Sequence, residues 1–401
     1  MIYSLPAVQE RVGWRIAELM ARIKYTLSPP EEVIFVPVED SMLPTMTVIQ
    51  PIPIPTNSTP EAPSNLPQPT PTQTLTPIPK RISLTGVQHE YQTWNNCGPA
   101  TLAMALSFWD WEGDQRPIAA FTKPNSRDKN VMPYELTAYV EQETGLDVVY
   151  RVGGEIELLK QFLASGLPVI IEKGFEGPGF EGWIGHYVLT TGYDESSRLF
   201  TMQDSYYGPD QVMEYDELIS YWRAFNFTYL VIYPPEREEE VLTILGSQFD
   251  EEYNDHYAAQ KASDEIYALS GRDQFFAWFN RGTNLVRVQD HVGAASAYDE
   301  AFALYPTIPE KERPWRMMWY QTGPYWAYFY SGRYQDVINL STTTLDAMSE
   351  PVLEESYYWR ALAREASGDT EGTIKDLRSA LTFHPGFEPS LTRLQQMGIT
   401  P

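Results

Sequence analysis

The hydrophobic pattern at the start of the chain predicts an amphipathic helix. Between residues 10 and 27, apolar side chains recur every three or four positions, at Val12, Ile16, Leu19, Met20, Ile23 and Leu27. Basic residues occupy the other side, at Arg11, Arg15, Arg22 and Lys24. Such a stripe either packs against the protein's own domain, the commoner arrangement, or lies on a membrane surface. No apolar run is long enough to cross a membrane, and the first residues lack a signal-peptide core.

Residues 37–80, which follow the N-terminal segment 1–36, predict a disordered linker rich in proline and threonine. Ten prolines lie between positions 51 and 79. Proline at this density prevents both helix and sheet, so the segment should be extended. Spacers of this kind are common between a bacterial surface anchor and an exported domain. The linker therefore favours an extracytoplasmic location at the cell envelope, with a cytoplasmic location as the alternative.

Residues 81–235 carry a mixed pattern in which helices come first and strands later. Helices are predicted at 98–110, 133–144 and 155–165, and strands at 168–172, 186–193, 198–203 and 229–233. This order is typical of an α+β domain. Two prolines and an acidic run end the domain, and residues 236–271 predict connecting helices.

Residues 272–401 predict an all-α domain built from a repeat of about 34 residues. The first copy, from Phe275, supplies Trp278, Gly282, Ala294, Tyr298, Ala301 and Pro306. The last copy, from Glu354, supplies Tyr357, Ala361, Gly368, Leu377, Ala380 and Pro385. A degenerate middle copy has Gly332, Tyr334 and Leu345. This pattern resembles the tetratricopeptide repeat, which implies a groove that binds a protein partner; a nonrepetitive helical bundle is the alternative.

Composition and charge narrow the possible chemistry. Hydrophobic residues make up 43% of the 401 residues, enough for globular cores. The net charge is −25, which argues against nucleic acid as a partner because phosphate would be repelled. A single cysteine excludes an intrachain disulfide and any cysteine-rich metal site. If this cysteine is a nucleophile, its chemistry needs no metal and no cofactor.

The single cysteine, Cys97, directly precedes a predicted helix. Pro99 suits the first turn of that helix, and the helix dipole would favour a thiolate at its N-terminus. Gly98 carries no side chain, so a substrate backbone could approach the sulfur. Cys97 is therefore a candidate nucleophile.

A thiolate nucleophile needs an imidazole partner, and His186 is the best placed of five histidines. It begins a predicted strand that should form a hairpin with the strand ending at Asp204. If Tyr193 opposed Ser197 across a three-residue loop, His186 would lie directly opposite Asp204. A carboxylate there would orient the imidazole. A slip of one residue would break the pair.

Four short motifs together resemble the C39-like peptidases of the papain superfamily over residues 86–235. They are Gln92, Cys97-Gly98-Pro99-Ala100, Gly185-His186-Tyr187 and Gln203-Asp204. The resemblance implies a papain-like fold with Cys97 as nucleophile, His186 as base and Asp204 as its orienting group. It also implies that the Gln92 side chain and the Cys97 amide bind the oxyanion. Asn95 and Asn96 are alternative oxyanion donors. This sequence departs from the usual pattern of the family at two positions. The glutamine lies five residues before the cysteine, and Ser205 follows the aspartate.

A glycine-rich loop at 174–185 precedes the histidine. Its aromatic residues Phe175, Phe180 and Trp183 could line or cover a cleft, because glycine permits movement and aromatics offer contact surface. The alternative is an ordinary surface loop. We predict Gly98, Trp183 and Gly185 as substrate-binding residues.

These observations favour a cysteine peptidase or amidohydrolase that works through a thioester, with a peptide or protein substrate. The C-terminal repeats would bind a protein partner. Two alternatives remain: a catalytically inactive, peptidase-like scaffold, and an acyltransferase that uses the same three residues.

Overall fold

The computed structural model describes residues 14–38, 78–123, 125, 128–176 and 182–401. Nearly all of the predicted linker, together with Val12 and Phe180, lies outside the described residues. The described chain divides into a sheet-containing region up to Tyr233 and a helical region from Glu238 onward.

A mixed sequence of helices and strands forms the first region. Its strands are β1 (Arg81–Ser83), β2 (Asp147–Arg151), β3 (Val169–Phe175), β4 (Ile184–Asp194), β5 (Leu199–Asp204), β6 (Gly208–Glu214) and β7 (Tyr229–Tyr233). They form an antiparallel sheet in the order β2-β7-β3-β4-β5-β6, and β1 pairs with the far end of β4. The helices, which follow α1 (Trp14–Leu27), are α2 (Cys97–Ser107), α3 (Gln115–Thr122), α4 (Pro133–Glu143), α5 (Ile156–Ala164) and α6 (Tyr215–Arg223).

The alternation of side chains along the strands produces two cores, one on each face of the sheet. Ile170 and Leu189 point to the face covered by α2 and α4, where they meet Leu102 and Leu136. Val169, Ile171 and Val188 point to the opposite face, covered by α5 and α6. Both faces of the central strands are therefore buried, and α2 lies directly against β3 and β4.

The predicted helices and strands of this region are all present, with ends that differ by a few residues. Sequence reasoning missed β1, β2, β6, α3 and α6. The β6 strand lies at the edge of the sheet, and most of its residues are exposed or half-buried. Its sequence, rich in Asp, Gln and Glu, has no apolar run that would have predicted it.

The helical region starts with α7 (Glu238–Leu245) and α8 (Glu251–Ala268) and continues as three helix pairs. These pairs are α9 (Gly271–Arg287) with α10 (His291–Leu304), α12 (Gly323–Tyr330) with α13 (Tyr334–Ala347), and α14 (Glu354–Ala366) with α15 (Thr370–Phe383). The short α11 (Met317–Tyr320) precedes the second pair, and α16 (Glu388–Gln396) ends the chain. A three-residue turn joins the helices of each pair.

The first and third pairs share the same cap between their helices. Asp290 accepts a hydrogen bond from the Gly293 amide at 2.9 Å, and Asp369 accepts one from the Gly372 amide at 2.9 Å. Residues 305–322, which include α11, separate the first and second pairs. This insertion interrupts the period, so the middle copy matched the repeat pattern poorly. The structure has a repeated helical hairpin; its identity as a tetratricopeptide repeat stays a prediction.

The two regions share one hydrophobic core. Trp183 and Phe225 of the sheet region lie in the same buried cluster as Phe276 of α9. Trp183 stacks on Phe225 with ring centroids 5.5 Å apart. The side chains of Asn226 and Asn284 also exchange hydrogen bonds across the boundary. Because these contacts are buried, the helical region forms part of the framework around the sheet.

The N-terminal helix α1 packs in the opposite sense to the favoured expectation. Its predicted apolar stripe faces outward, with Leu19, Met20, Ile23 and Leu27 between 48% and 78% exposed. The other side contacts the helical region: Lys24 donates to the carbonyl oxygens of Asp346 and Met348, and Tyr25 packs edge-on against Trp315. The interpretation that the stripe packs against the protein's own domain is therefore wrong for these four residues. No helix in the described part of the chain is both long and apolar enough to cross a membrane.

Candidate active site

The segment that leads into α2 is fastened by the side chain of Gln115. Its Oε1 accepts hydrogen bonds from the Thr93 amide at 2.8 Å and from Asn96 Nδ2 at 3.2 Å. Its Nε2 donates to Glu90 and to the Tyr91 carbonyl. This polar hub holds the turn before the helix, so that α2 begins at Cys97. Sequence reasoning missed Gln115, because no local pattern links it to residues 90–96.

Cys97 is the first residue of α2 and is half-buried. Burial opposes ionisation of its thiol, but a hydrogen bond from His186, the charge of His186 and the Tyr187 amide outweigh it and lower the thiol pKa. The Thr101 hydroxyl of the same helix donates to the Tyr187 carbonyl at 3.0 Å, which ties the helix to β4. The sulfur is thus held beside the residue that follows the histidine.

His186 lies near the start of β4 and is 3% exposed. Its Nε2 is 3.0 Å from Asp204 Oδ1, which leaves Nδ1 for Cys97. Burial would lower the pKa of His186, but hydrogen bonds to Asp204 and Cys97 raise it to about 8. His186 thus hydrogen-bonds Asp204 through Nε2, and a hydrogen bond between His186 and Cys97 contributes to the pKa shifts of both residues.

Asp204 is prepared to remain ionised. Burial alone would raise its pKa, but the hydrogen bond and charge of His186 lower it to about 2, assisted by backbone amides. Those amides belong to Tyr206 and Tyr207, which donate to Oδ1 at 2.8 and 3.0 Å. A carboxylate with three donors on one oxygen keeps its charge and stabilises an imidazolium beside it.

The strand register that joins His186 to Asp204 differs from the predicted one. Asp194 opposes Leu199 across a four-residue turn, so the three-residue loop between Tyr193 and Ser197 is wrong. The register then shifts by one between Thr190 and Gly192. Leu189 opposes Gln203, and the next step places Asp204 across from Val188, two residues from His186.

The bulge at Thr191 is what keeps the two side chains on one face of the sheet. Without it, the register at the turn would carry Asp204 to a position opposite Leu189, whose side chain points to the other face. With it, His186 and Asp204 are diagonal neighbours on one face, within reach of each other. The pairing was predicted correctly in outcome but not in geometry.

Gln92 is held by Ser205, the residue that follows Asp204. The Ser205 hydroxyl donates to Gln92 Oε1 at 2.9 Å, and the Gln92 amide donates to the Ser205 carbonyl at 2.9 Å. Because the amide oxygen accepts this bond, the Nε2 end remains as a donor. Ser205, a departure from the usual pattern after the aspartate, thus contacts the predicted oxyanion donor.

The two alternative oxyanion donors are engaged elsewhere. Asn95 has a positive φ of 54° and donates its side-chain amide to the Asp128 carbonyl at 3.2 Å. The Asn96 amide donates to Thr93 and Gln115. Both residues shape the turn before α2, which favours Gln92 over either of them.

Charged residues of β3 and of the segment after α3 surround the site, and sequence reasoning missed them. Lys173 pairs with His186 across the β3–β4 ladder and is buried, which lowers its pKa to about 8. Burial also raises the pKa of Glu172 well above its usual range. Lys123 donates to the Asn95 carbonyl at 2.8 Å and adds positive charge near Cys97. The sequence signal that could have identified Glu172 and Lys173 is their place directly after the apolar run Val169-Ile170-Ile171, within a buried strand.

The three predicted substrate-binding residues lie in packed surroundings. A Cβ on Gly98 would lie 3.3 Å from Val131 and 3.4 Å from Tyr187, so the missing side chain makes room for packing. Trp183 is 1% exposed and belongs to the core shared with the helical region, so it does not face a cleft. A Cβ on Gly185 would meet Phe225 at 2.6 Å and Tyr320 at 3.1 Å. The glycine-rich loop between these residues lies partly outside the described chain.

The described residues contain no group of three or more His, Cys, Asp or Glu side chains arranged to hold a metal ion.

Comparisons with known proteins find similarities to the first region of the chain. Residues 84–230, a little over a third of the chain, match the Peptidase_C39 like family. Among solved structures, a protein described as a C39-like peptidase from Bacillus anthracis is 17% identical, covering 38% of this chain and 96% of its own, with a TM-score of 0.32. Xylellain, a cysteine protease from Xylella fastidiosa, is also 17% identical, covering 41% of this chain and 90% of its own, with a TM-score of 0.32. A search of curated proteins finds no match.

Proposed function

We propose that the protein is a cysteine peptidase that cleaves a peptide or related amide bond through a thioester. The observation that supports this most directly is that His186 hydrogen-bonds both Asp204 and Cys97. The pKa of the thiol is lowered while that of the imidazole is raised to about 8. These shifts favour a thiolate–imidazolium pair near neutral pH.

In the first step, the Cys97 thiolate attacks the substrate carbonyl carbon and a C–S bond forms. The carbonyl oxygen becomes an oxyanion, to which Gln92 Nε2 and the Cys97 amide donate. His186 then gives its proton to the leaving nitrogen, the C–N bond breaks, and an amine departs. A thioester on Cys97 and a neutral imidazole remain.

In the second step, neutral His186 accepts a proton from water as the water oxygen attacks the thioester. The C–S bond breaks, the carboxylic acid product leaves, and the thiolate–imidazolium pair is restored. Asp204 stays ionised throughout and holds Nε2, so that Nδ1 faces the sulfur in both steps. No oxidant, reductant or cofactor is consumed.

The three helix pairs add a surface for a protein partner. Exposed aromatic side chains on α12 support this: Trp326 is 40% exposed and Tyr330 is 54% exposed, and their rings lie 5.8 Å apart. Aromatic residues contribute much of the binding energy of protein interfaces. A second surface is the outward stripe of α1, which fits a lipid surface better than the interior of this protein.

The test is the rate at which iodoacetamide alkylates Cys97 as a function of pH, in the wild type and in His186→Ala. Because the chain has one cysteine, the signal reports one site. A fast reaction that persists well below pH 8 and is lost in the variant supports the ion pair. A slow reaction in both proteins, with a midpoint near the ordinary thiol value of 9.0, would favour the inactive scaffold.

Hydrolase and acyltransferase share every step up to the thioester. Product analysis with an added amine separates them, because an acyltransferase forms a new amide while the peptidase forms the free acid.

A further inference from the structure

The insertion between the first two helix pairs reaches the start of strand β4, next to the candidate active site. Arg316 Nη1 donates to the Trp183 carbonyl at 3.0 Å, and Gln321 Nε2 donates to the Ala224 carbonyl at 2.7 Å. Both acceptors belong to the sheet region. The insertion is therefore anchored on either side of Tyr320, the last residue of α11.

Tyr320 lies against the backbone just before the histidine. A Cβ on Gly185 would be 3.1 Å from two ring carbons of Tyr320, so the ring and the glycine are in van der Waals contact. The same ring packs edge-on against Trp183 and Phe225, with centroids 6.1 and 5.6 Å away. Aromatic contacts on two sides fix the orientation of the ring.

Among the described residues, no strand pairs with this edge of β4 before Leu189, where the pairing with β5 begins. Backbone amides two residues apart on a strand point in the same direction. Burial raises the pKa of Tyr320, and a hydrogen bond from the Gly185 amide to its hydroxyl opposes that rise. A hydrogen bond from the Tyr187 amide likewise helps to lower the pKa of the Cys97 thiol. Two strand residues span about 7 Å, so the hydroxyl and the sulfur lie about that far apart along one edge.

An extended peptide attacked at Cys97 would run along this edge. The Tyr320 hydroxyl already accepts the Gly185 amide and still has its own proton to donate. About 7 Å from the sulfur, the acceptor for this proton would be a main-chain carbonyl oxygen about two residues from the scissile bond.

We propose that Tyr320, supplied by the helical region, contacts the substrate: its ring forms a wall of the cleft and its hydroxyl donates to a main-chain carbonyl of the peptide. This inference rests on the proposed peptidase function. It makes the helical region a component of the substrate site as well as a surface for a partner.

The experiment uses the full chain and three reagents that all react with Cys97. Iodoacetamide has no peptide arm, alanine chloromethyl ketone has one residue, and trialanine chloromethyl ketone has three. Second-order rate constants are measured for the wild type and for Tyr320→Phe, which keeps the ring and removes the hydroxyl. Tyr267→Phe is the matched control, because Tyr267 is an exposed tyrosine of the same region.

The wild type should react faster with the trialanine reagent than with the alanine reagent. Tyr320→Phe should slow the trialanine reagent about tenfold, the value of one hydrogen bond to substrate, while the other two reagents stay within about twofold. Tyr267→Phe should change none of them.

Three outcomes would overturn the inference. In the first, Tyr320→Phe changes the rate constants of all three reagents equally or changes none of them. In the second, the wild type shows no preference for the reagent with the longer peptide arm. The third is a faster trialanine reaction in Tyr320→Ala, which would mean that the ring blocks the cleft. The iodoacetamide profile of His186→Ala is independent of Tyr320, so it distinguishes failure of this inference from failure of the proposed function.

Discussion

Two histidine–carboxylate pairs in the described chain have similar geometry and opposite electrostatics. His186 lies 3.0 Å from Asp204 in the sheet region, and His384 lies 2.6 Å from Glu354 in the helical region. In the first pair, the pKa of the histidine is raised to about 8 and that of the carboxyl is lowered to about 2. In the second, the histidine pKa is lowered and the carboxyl pKa is raised to about 8.

The neighbours of each pair explain the difference. Asp204 receives two backbone amides, and His186 also hydrogen-bonds Cys97, so charge on both partners is stabilised. Glu354 is buried, one of its oxygens has no hydrogen-bond partner among the described residues, and the charge of Asp128 adds repulsion. The same two functional groups thus form an ion pair in one place and a neutral pair in the other.

The comparison teaches that a histidine beside a carboxylate does not by itself mark a catalytic pair. What distinguishes the sheet region is a third reactive group and amides aimed at the carboxylate. The predictions below test this distinction.

The largest expected effect follows from removing each histidine in turn. His186→Ala should lower kcat by about 1,000-fold or more, because the proton donor and acceptor is lost. His384→Ala should leave kcat within about twofold. Both are measured by hydrolysis of a peptide found by library screening with the full chain. Comparable losses in the two variants would end the distinction between the pairs.

The second effect concerns the charge of Asp204. Asp204→Asn keeps a polar side chain beside His186 but removes the charge that raises the histidine pKa, so kcat/KM should fall about 10- to 100-fold. The alkaline limb of the pH–rate profile, which lies near pH 8 in the wild type, should move to lower pH. A profile that keeps its alkaline limb would show that Asp204 does not set the pKa of His186.

The third effect is on stability and has the opposite sign for the two pairs. Because the pKa of Glu354 is raised to about 8, the folded state holds a proton that the unfolded state releases near pH 4.5. Its contribution to stability is present at low pH and is lost as the pH rises towards 8. For Asp204, whose pKa is lowered to about 2, the contribution is lost as the pH falls below about 4.

Glu354→Gln should therefore raise the melting temperature of the protein at pH 8.5 by about 1–1.5 °C, equivalent to about 1 kcal/mol for a chain of this length. At pH 6.5, where the wild-type carboxyl keeps its proton, the gain should be smaller. Thermal unfolding followed by circular dichroism at the two pH values measures the difference. A gain that is the same at both values would mean that Glu354 is ionised in the folded protein.

The smallest effect concerns Ser205, which holds Gln92 beside the first pair. Gln92→Ala should lower kcat about 100-fold, the usual effect of losing one oxyanion donor. Ser205→Ala should lower kcat only about two- to fivefold, since the backbone amide of Gln92 still donates to the carbonyl of residue 205. In the double variant the serine should add nothing, because its role depends on the glutamine. Additive losses would mean that Ser205 acts independently of Gln92.

Much of the local structure could be predicted from the sequence. The helix that begins at Cys97 follows from Pro99 and an apolar face, and the strands follow from runs of β-branched residues. The contact between His186 and Asp204 was predicted because side chains on a strand alternate with a period of two. The predicted register was wrong by two residues. Because such an error keeps both side chains on one face of the sheet, the contact was still predicted although the turn was not.

The parts that failed depend on contacts between distant segments. The outward face of α1 could not be predicted, because its apolar stripe gives no information on which side meets the helical region. Trp183 was expected in a cleft, but the aromatic residues that bury it are Phe225, Phe276 and Tyr320, from two other parts of the chain. Neither arrangement has a local sequence signal.

The residues that could carry the chemistry can be recognised without a structure, because a single cysteine at a helix N-terminus and a histidine on a strand are local patterns. The division into a mixed domain and a repeated helical one can be recognised in the same way, because it follows from hydrophobic periodicity. Three features became visible only in the folded chain. They are the bulge that sets the face of Asp204, the contact between Ser205 and Gln92, and the position of Tyr320 beside Gly185. These depend on how strands and helices far apart in the chain pack, and periodicity along one segment carries no record of the segment it will meet.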